Sequence, residues 1–325
     1  MGGTGTGILA LGQDTDGSLY ELGLSAEVDS PSFLARRGDV LYAVGEASAL
    51  LHAYRLSPAG HLDELGSKVV DGTAPCHIAI VPEAVLVSCY GDGGLLLFPT
   101  LDGGEPLSAR QRLDPEGTPG PRPQQDSPHA HSSLAVGEYV VSTDLGTDTV
   151  YLHRMRDGQL TRVSALQLPP GSGPRHVVQH PSGYLYVITE LSNELYALAL
   201  EERAGRATLR IETGTPLTFG SDEHDQAAEI VLSRDGTRAY AGIRGTNAIA
   251  VLSIGGNGER IAPLDLVSSE GDWPRHHVVD GDLLHVANER SSGVASFRLD
   301  PRTGVPRLIR SATPVPTPTH LLPLA

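Results

Sequence analysis

The sequence predicts an all-β fold: a seven-bladed β-propeller forming one domain over residues 1–325, with one blade closed by strands from the N- and C-termini. Three observations predict it. Helical periodicity is scarce, and most segments read as short strands punctuated by Gly, Pro, Asp or Asn. A strand–turn–strand unit recurs with a period of roughly 45 residues, the length of a four-stranded propeller blade. The two terminal fragments each carry part of one such unit, and together they complete it.

The units follow in order. Pro31-Ser32-Phe33 leads through LYAVGEA to LLHAYRL, and Pro75-Cys76-His77 leads through VLVSCYGDG to LLLFPT. His129-Ala130-His131 leads through YVVSTDLGTD to VYLHRM, and Pro174-Arg175-His176 through LYVITELSN to LYALAL. Ala228-Glu229-Ile230 leads through AYAGIRGTN to IAVLSI, and Pro274-Arg275-His276 through LHVANERSS to VASFRL. Starts at 31, 75, 129, 174, 228, 274 and 318 are spaced by 44, 54, 45, 54, 46 and 44 residues. The last unit, opened by Pro318-Thr319-His320, has one strand before Ala325. GTGILAL and SLYELGL near the N-terminus read as the third and fourth strands it lacks. Sharing a blade between the termini would close the ring and leave no open sheet edge.

Composition narrows the function. A formal net charge of −15 argues against a nucleic-acid partner and against a polybasic membrane patch. No run approaches the ~20 apolar residues of a membrane span, and MGGTGTGILALG lacks the basic and apolar regions of a signal peptide. Cys76 and Cys89 are the only cysteines. Two in so long a chain do not make a disulfide scaffold, so a reducing, cytoplasmic setting and a free pair are expected.

The first two strands of a unit form an antiparallel hairpin, so the start of one lies beside the end of the other. With the first strand innermost, these positions meet at one mouth of the central channel. The strand-start positions are Phe33, His77, His131, His176, Ile230, His276 and His320. The strand-end positions are Glu46, Tyr90, Asp144, Glu190, Arg244 and Glu289, with the seventh near Thr4. Five histidines at one repeat position, of thirteen in the chain, exceed chance. A scaffold role is the stronger reading for His77 and His320, because scaffold residues repeat from blade to blade. His131, Arg175, Glu190 and Arg244 break the repeat, as functional residues should.

These residues also carry a resemblance. PHAHS at 128–132, DLGTD at 144–148, GPRH at 173–176, ELSN at 190–193 and PRH at 274–276 resemble the seven-bladed lactonase family, in order and across essentially the whole chain. Its members include propeller-type 6-phosphogluconolactonases and fungal carboxy-cis,cis-muconate cyclases. The resemblance implies a seven-bladed propeller and a catalytic or binding set of His131 (or His129), Arg175, Glu190 and Arg244. It also implies a cytoplasmic enzyme of carbohydrate metabolism, in the pentose phosphate pathway. Departures fall beside the charged groups: Thr189-Glu190 stands where the family has Asn-Glu, Gly242-Ile243-Arg244 where it has Ser-Asn-Arg, and Asn288-Glu289 where it has Asn-Gln. They leave the substrate open.

Opening a lactone requires an activated water, a stabilised oxyanion and a proton for the leaving oxygen. Glu190 is expected as general base, with His131 orienting water or donating the proton; the sequence alone leaves the base open between them. Arg175 and Arg244 offer forked donors for an oxyanion or an anionic substrate. His129, His176, Asp144, Glu229, Arg275, His276, Glu289, His77 and Glu46 complete the expected substrate-facing set. The expected partner is a small anionic lactone, met by a monomer or weak oligomer with no cofactor and no metal. SDEHDQ at 221–226 reads as a solvated loop rather than a metal site. Two alternatives stay open: a carboxymuconate-type lactonising cyclase, and a non-catalytic propeller that binds a partner. A GxSxG elbow is absent, which disfavours a serine hydrolase.

Overall fold

The computed structural model describes residues 5–57, 60–220, 222 and 224–324. Among them there is no helix. Strands β1 (Gly7–Gln13) and β2 (Leu19–Glu27) form a two-stranded sheet, and the remaining strands form six four-stranded antiparallel sheets in sequence order. This is an all-β propeller. The first strands of the six sheets are β3 (Pro31–Arg37), β7 (Pro75–Val81), β11 (Ala130–Val136), β15 (Pro174–Gln179), β19 (Gln226–Leu232) and β23 (Pro274–Asp280). Each of these packs against the next, from β3 through to β23.

The second strands explain why the sequence reads as apolar runs. β4 (Val40–Gly45), β8 (Ala84–Cys89), β12 (Tyr139–Asp144), β16 (Leu185–Thr189) and β24 (Leu283–Asn288) are buried at every position. Each is covered by neighbouring sheets on both faces, so alternation gives way to continuous Val, Leu, Ile and Ala. The last strands, such as β26 (Pro306–Pro314), are largely exposed. The apolar cores lie between adjacent sheets. Tyr42, Val44 and Leu51 pack with Val85, Val87 and Phe98, for example, and Tyr186 and Ile188 pack with Ile230 and Ala241.

Leu198 to Thr208, a stretch long enough for a short helix, falls instead in a hairpin of two long strands, Glu194–Arg203 and Arg206–Pro216. At the termini, GTGILAL and SLYELGL form β1 and β2 as expected. Residues 318–324 carry no strand, although an inner strand is expected from Pro318. They still run between β3 and β23: Thr319 Oγ1 donates to Pro31 O at 2.8 Å and Leu321 N to His276 Nδ1 at 3.2 Å. The strand-end position expected near Thr4 lies outside the described residues. Among the described residues no helix is long and apolar enough to cross a membrane.

Candidate active site

One backbone device places the site. At the start of β3, β7, β11, β15 and β23 the register shifts by one residue, leaving Ser32, Cys76, His131, Arg175 and Arg275 unpaired. In β19 the shift spans Ala228 and Glu229. Such bulges re-aim side chains and recur beside active sites.

The bulges correct two of the expected alignments. His131 does not share the position of His77, His176 and His276. It stands with Arg175 and Arg275, and Ser132 occupies the histidine position of its blade. The strand ends slip as well. Glu46, Tyr90, Glu190 and Glu289 each donate their backbone N–H to the residue just before the strand-start proline, and the third blade's equivalent donor is Leu145. Asp144 therefore lies one residue before that level, paired with Ala130, whereas Arg244 stands at it, following the Ile243–Ala248 pair as Glu190 follows the Thr189–Glu194 pair.

Asp144 and the neighbouring His129 have structural work. Asp144 Oδ1 accepts the N–H of His129 at 2.8 Å and of Thr147 at 3.1 Å. Its burial outweighs these bonds and raises its pKa. The His129 ring stacks on Tyr90 with centroids 4.3 Å apart, and its nitrogens lie 2.6 Å from Tyr90 O and 3.0 Å from Asp126 Oδ1. A ring with both nitrogens engaged and one face stacked is a fixture of the blade.

Arg175, Glu190 and Arg244 do come together. Arg175 Nε donates to Glu190 Oε2 at 2.9 Å, and Arg244 Nη2 reaches the same oxygen at 2.7 Å. Main-chain carbonyls hold the forks: Arg175 Nη1 donates to Ala228 O, and Arg244 donates to Gln226 O and Ala227 O. Burial pushes the Glu190 carboxyl upward, but the Arg244 and Arg175 charges outweigh it and hold its pKa below the usual range. Burial lowers Arg175 to about 10, with help from Arg244.

His131 stands on the neighbouring blade. Burial drives its pKa well down, and Arg175 and Arg275 drive it further. It is a neutral imidazole, with Nδ1 buried and unpartnered among the described residues.

Below the charged cluster is a plug of rings. Phe33 lies 4.2 Å from His77 and 4.1 Å from His320, His276 lies 3.9 Å from His320, and His77 lies 5.4 Å from His176. Burial lowers His77 and His320 to about 3. Glu229 inserts among these rings, 3.1 Å from His176 Nε2 and 3.6 Å from His276 Nε2.

Arg275, Glu46 and Glu289 stand apart from the paired arginines. Arg275 lies 3.3 Å from Glu289 and 3.6 Å from Glu46. All three face a cavity of about 730 Å³ that also reaches Ser32, Thr319 and His320. Arg175, Glu190, Arg244 and His131 are not among the residues that line it.

Two neighbours were not expected among the site residues. Trp273, the single tryptophan, stacks under Arg290 at 3.3 Å and lies 5.2 Å from Arg244. Tyr90 feels the Glu190 charge, and burial pushes its hydroxyl up to about 12. Tyr90 occupies a strand-end position, which was a usable signal. Trp273 sits just before the repeated proline, a place that attracts no notice by composition.

Cys76 and Cys89 are free and buried. In the 221–226 loop, Asp225 accepts from the backbone of Asp222 and Thr246, which makes it a turn residue. Glu223 of that stretch lies outside the described residues.

Comparison with known proteins agrees over nearly the full chain. Residues 2–323 match the family described as "Lactonase, 7-bladed beta-propeller". The 6-phosphogluconolactonase of Bacillus subtilis is 32% identical, covering 97% of this chain and 94% of its own length. The Formosa agariphila protein of the same name is 31% identical, covering 92% and 90%. Among solved structures, a Lactobacillus plantarum protein superposes with a TM-score of 0.88 at 28% identity, over 97% of this chain and 94% of that one. The Pseudomonas aeruginosa periplasmic gluconolactonase has the same TM-score at 24% identity, over 97% and 95%, a likeness of fold.

Proposed function

The chain belongs to the seven-bladed β-propeller lactonase family, and from that premise we propose that it hydrolyses an anionic sugar lactone, 6-phosphogluconolactone first, at the mouth formed by His131, Arg175, Glu190 and Arg244. One observation carries the reading: two buried guanidiniums share a single carboxylate oxygen beside a neutral imidazole. Glu190 then holds the two forks in place. Arg175 Nη2 and Arg244 Nη1, which lie outside the bonds described, face the carbonyl oxygen as charge develops on it.

The roles of Glu190 and His131 are exchanged relative to the sequence expectation. Both groups are held low, Glu190 by two guanidiniums and His131 by burial with Arg175 and Arg275, so geometry decides between them. Glu190 Oε2 is occupied by both forks, whereas His131 Nδ1 has no partner among the described residues and takes the water proton in this scheme. Water attacks the lactone carbon, its proton passes to His131, and the ring C–O bond breaks once its oxygen is protonated. Arg275, Glu46 and Glu289 line the open cavity, where the substrate's polyol and anionic group would lie. On this reading residues 1–325 act as one seven-bladed domain, the seventh blade being β1 and β2 completed by residues 318–324. No cofactor is required, and the two free cysteines fit a reducing, cytoplasmic setting.

The test is acid release from 6-phosphoglucono-δ-lactone, glucono-δ-lactone and carboxymuconolactone, with spontaneous hydrolysis subtracted. A rate on the phosphorylated lactone that His131→Asn abolishes is the expected result. Turnover of muconolactone alone would transfer the assignment to the cyclase reaction. No turnover of any lactone would leave a binding propeller.

A further inference from the structure

Glu229 has no part in the scheme above, yet it is among the most enclosed carboxyls of the molecule, 4% exposed. It sits at the bulge of β19, and its two oxygens face imidazoles from the blades on either side. Oε1 lies 3.1 Å from His176 Nε2 of β15, and Oε2 lies 3.6 Å from His276 Nε2 of β23. His276 Nδ1 accepts the N–H of Leu321, so in its neutral form His276 carries its proton on Nε2, toward Glu229. That orientation leaves the His176 side as the direction in which Glu229 can share a proton of its own.

We propose that Glu229 and His176 form a buried proton-sharing pair that supplies the proton to the ring oxygen as the lactone opens. The proposal rests on the lactonase reading and extends it with the donor that reading lacks. When the C–O bond breaks, its electron pair stays on the ring oxygen. His176 delivers its Nδ1 proton to that oxygen and takes the Glu229 proton on Nε2. Glu229 is left as carboxylate and His176 as the other neutral tautomer. The proton that His131 removed from water leaves to solvent, and a proton regained from solvent resets the pair.

The surroundings support a proton held on the pair at neutral pH. Burial pushes the Glu229 carboxyl up to about 8, and Arg175 only partly opposes it. The charged and titratable groups around the pair are Arg175 from β15, His276 and His277 from β23, His77 from β7, His131 from β11 and His320 from the C-terminal segment. Burial also holds the His176 and His276 pKa values well down, so neither imidazole carries a positive charge. A carboxylic acid kept neutral by an enclosed site serves as a donor in other enzymes.

Glu229 acts through His176, which makes it a positioning residue, and its test needs a readout that packing alone would not move. Leaving-group dependence supplies one. Glu229→Gln is compared with wild type on glucono-δ-lactone, whose alkoxide leaving group needs a proton, and on dihydrocoumarin, whose phenolate leaves without one. The expected result is a loss of ~10²-fold or more in kcat on the aldonolactone, little change in KM, and near wild-type kcat on dihydrocoumarin. Wild-type kcat on the aldonolactone should also fall as pH rises through about 8, and the variant should lose that limb. Equal losses on both lactones, or no loss on either, would overturn the role while leaving the lactonase reading intact. Absence of turnover of any lactone by wild type would overturn both. Melting checks folding. If Glu229→Gln does not fold, His176→Gln breaks the same relay from its other end and is read by the same comparison.

Discussion

Glu190 and Glu229 are two carboxyls on adjacent blades of one channel mouth, both at least nine-tenths enclosed, and their protonation runs in opposite directions. Glu190 meets two guanidiniums on one oxygen and is held ionised. Glu229 meets two imidazoles, and burial keeps its proton on. Burial alone would raise both. The difference comes from the charge state of the immediate neighbours: Arg is charged at any working pH, whereas a buried His discards its charge first. Two carboxyls set apart in this way are suited to different tasks in one reaction.

The largest effect expected from breaking this contrast is at Glu190. Glu190→Gln leaves two buried guanidiniums without their counter-charge, and removing one partner of such a group costs about 3–5 kcal/mol. A large fall in melting temperature is expected together with loss of lactone turnover. A variant that melts like wild type would show that the carbonyls of Gln226, Ala227 and Ala228 suffice to hold the forks.

Acid should act next, through the imidazole plug. The pKa values of His77, His320, His131, His176 and His276 are all depressed in the fold. Their unfolded-state values lie near 6.5. Their stabilising contribution is therefore complete above about pH 6.5 and is lost as pH falls from there, for His77 and His320 toward about 3. Each can remove up to ~1.4 kcal/mol per pH unit in that window. Melting measured from pH 7.5 to 4.5 should show a steep loss that His77→Gln makes shallower. An unchanged slope in that variant would place the acid sensitivity elsewhere.

The effect at Glu229 has the opposite sign. The Glu229 pKa is raised in the fold, so its contribution is complete below the unfolded value near 4.5 and is lost as pH rises through about 8. Glu229→Gln carries no such penalty. Its melting temperature should gain on wild type progressively from pH 5 to pH 8. A constant difference across that range would mean that Glu229 is ionised throughout.

The two carboxyls were not equally legible in the sequence. The repeat, its strands and most of the mouth could be read because the second strands are buried on both faces and spell continuous apolar runs. Glu190 was found because it ends such a run. The bulges were invisible: an extra residue in a strand start leaves no mark in composition, and a one-residue slip exchanged Asp144 for the position of Glu190. Counting back from the left-handed turn residues Asp148 and Asn193 would have aligned Asp144 with Thr189. Residues 318–324 form no strand where one was expected. Pro318 and Pro323 each lack the N–H that a ladder needs, which accounts for part of this. Glu229 was named among the substrate-facing groups, but its partners come from two other blades, and no local pattern announces them.

The most direct test is infrared difference spectroscopy of the protonated-carboxyl stretch near neutral pH, comparing wild type with Glu229→Gln and Glu190→Gln. The account predicts a band in wild type at pH 6.5 that disappears in Glu229→Gln, persists in Glu190→Gln and titrates away as pH rises through about 8. A wild-type spectrum without that band, or a band lost in Glu190→Gln instead, would contradict it.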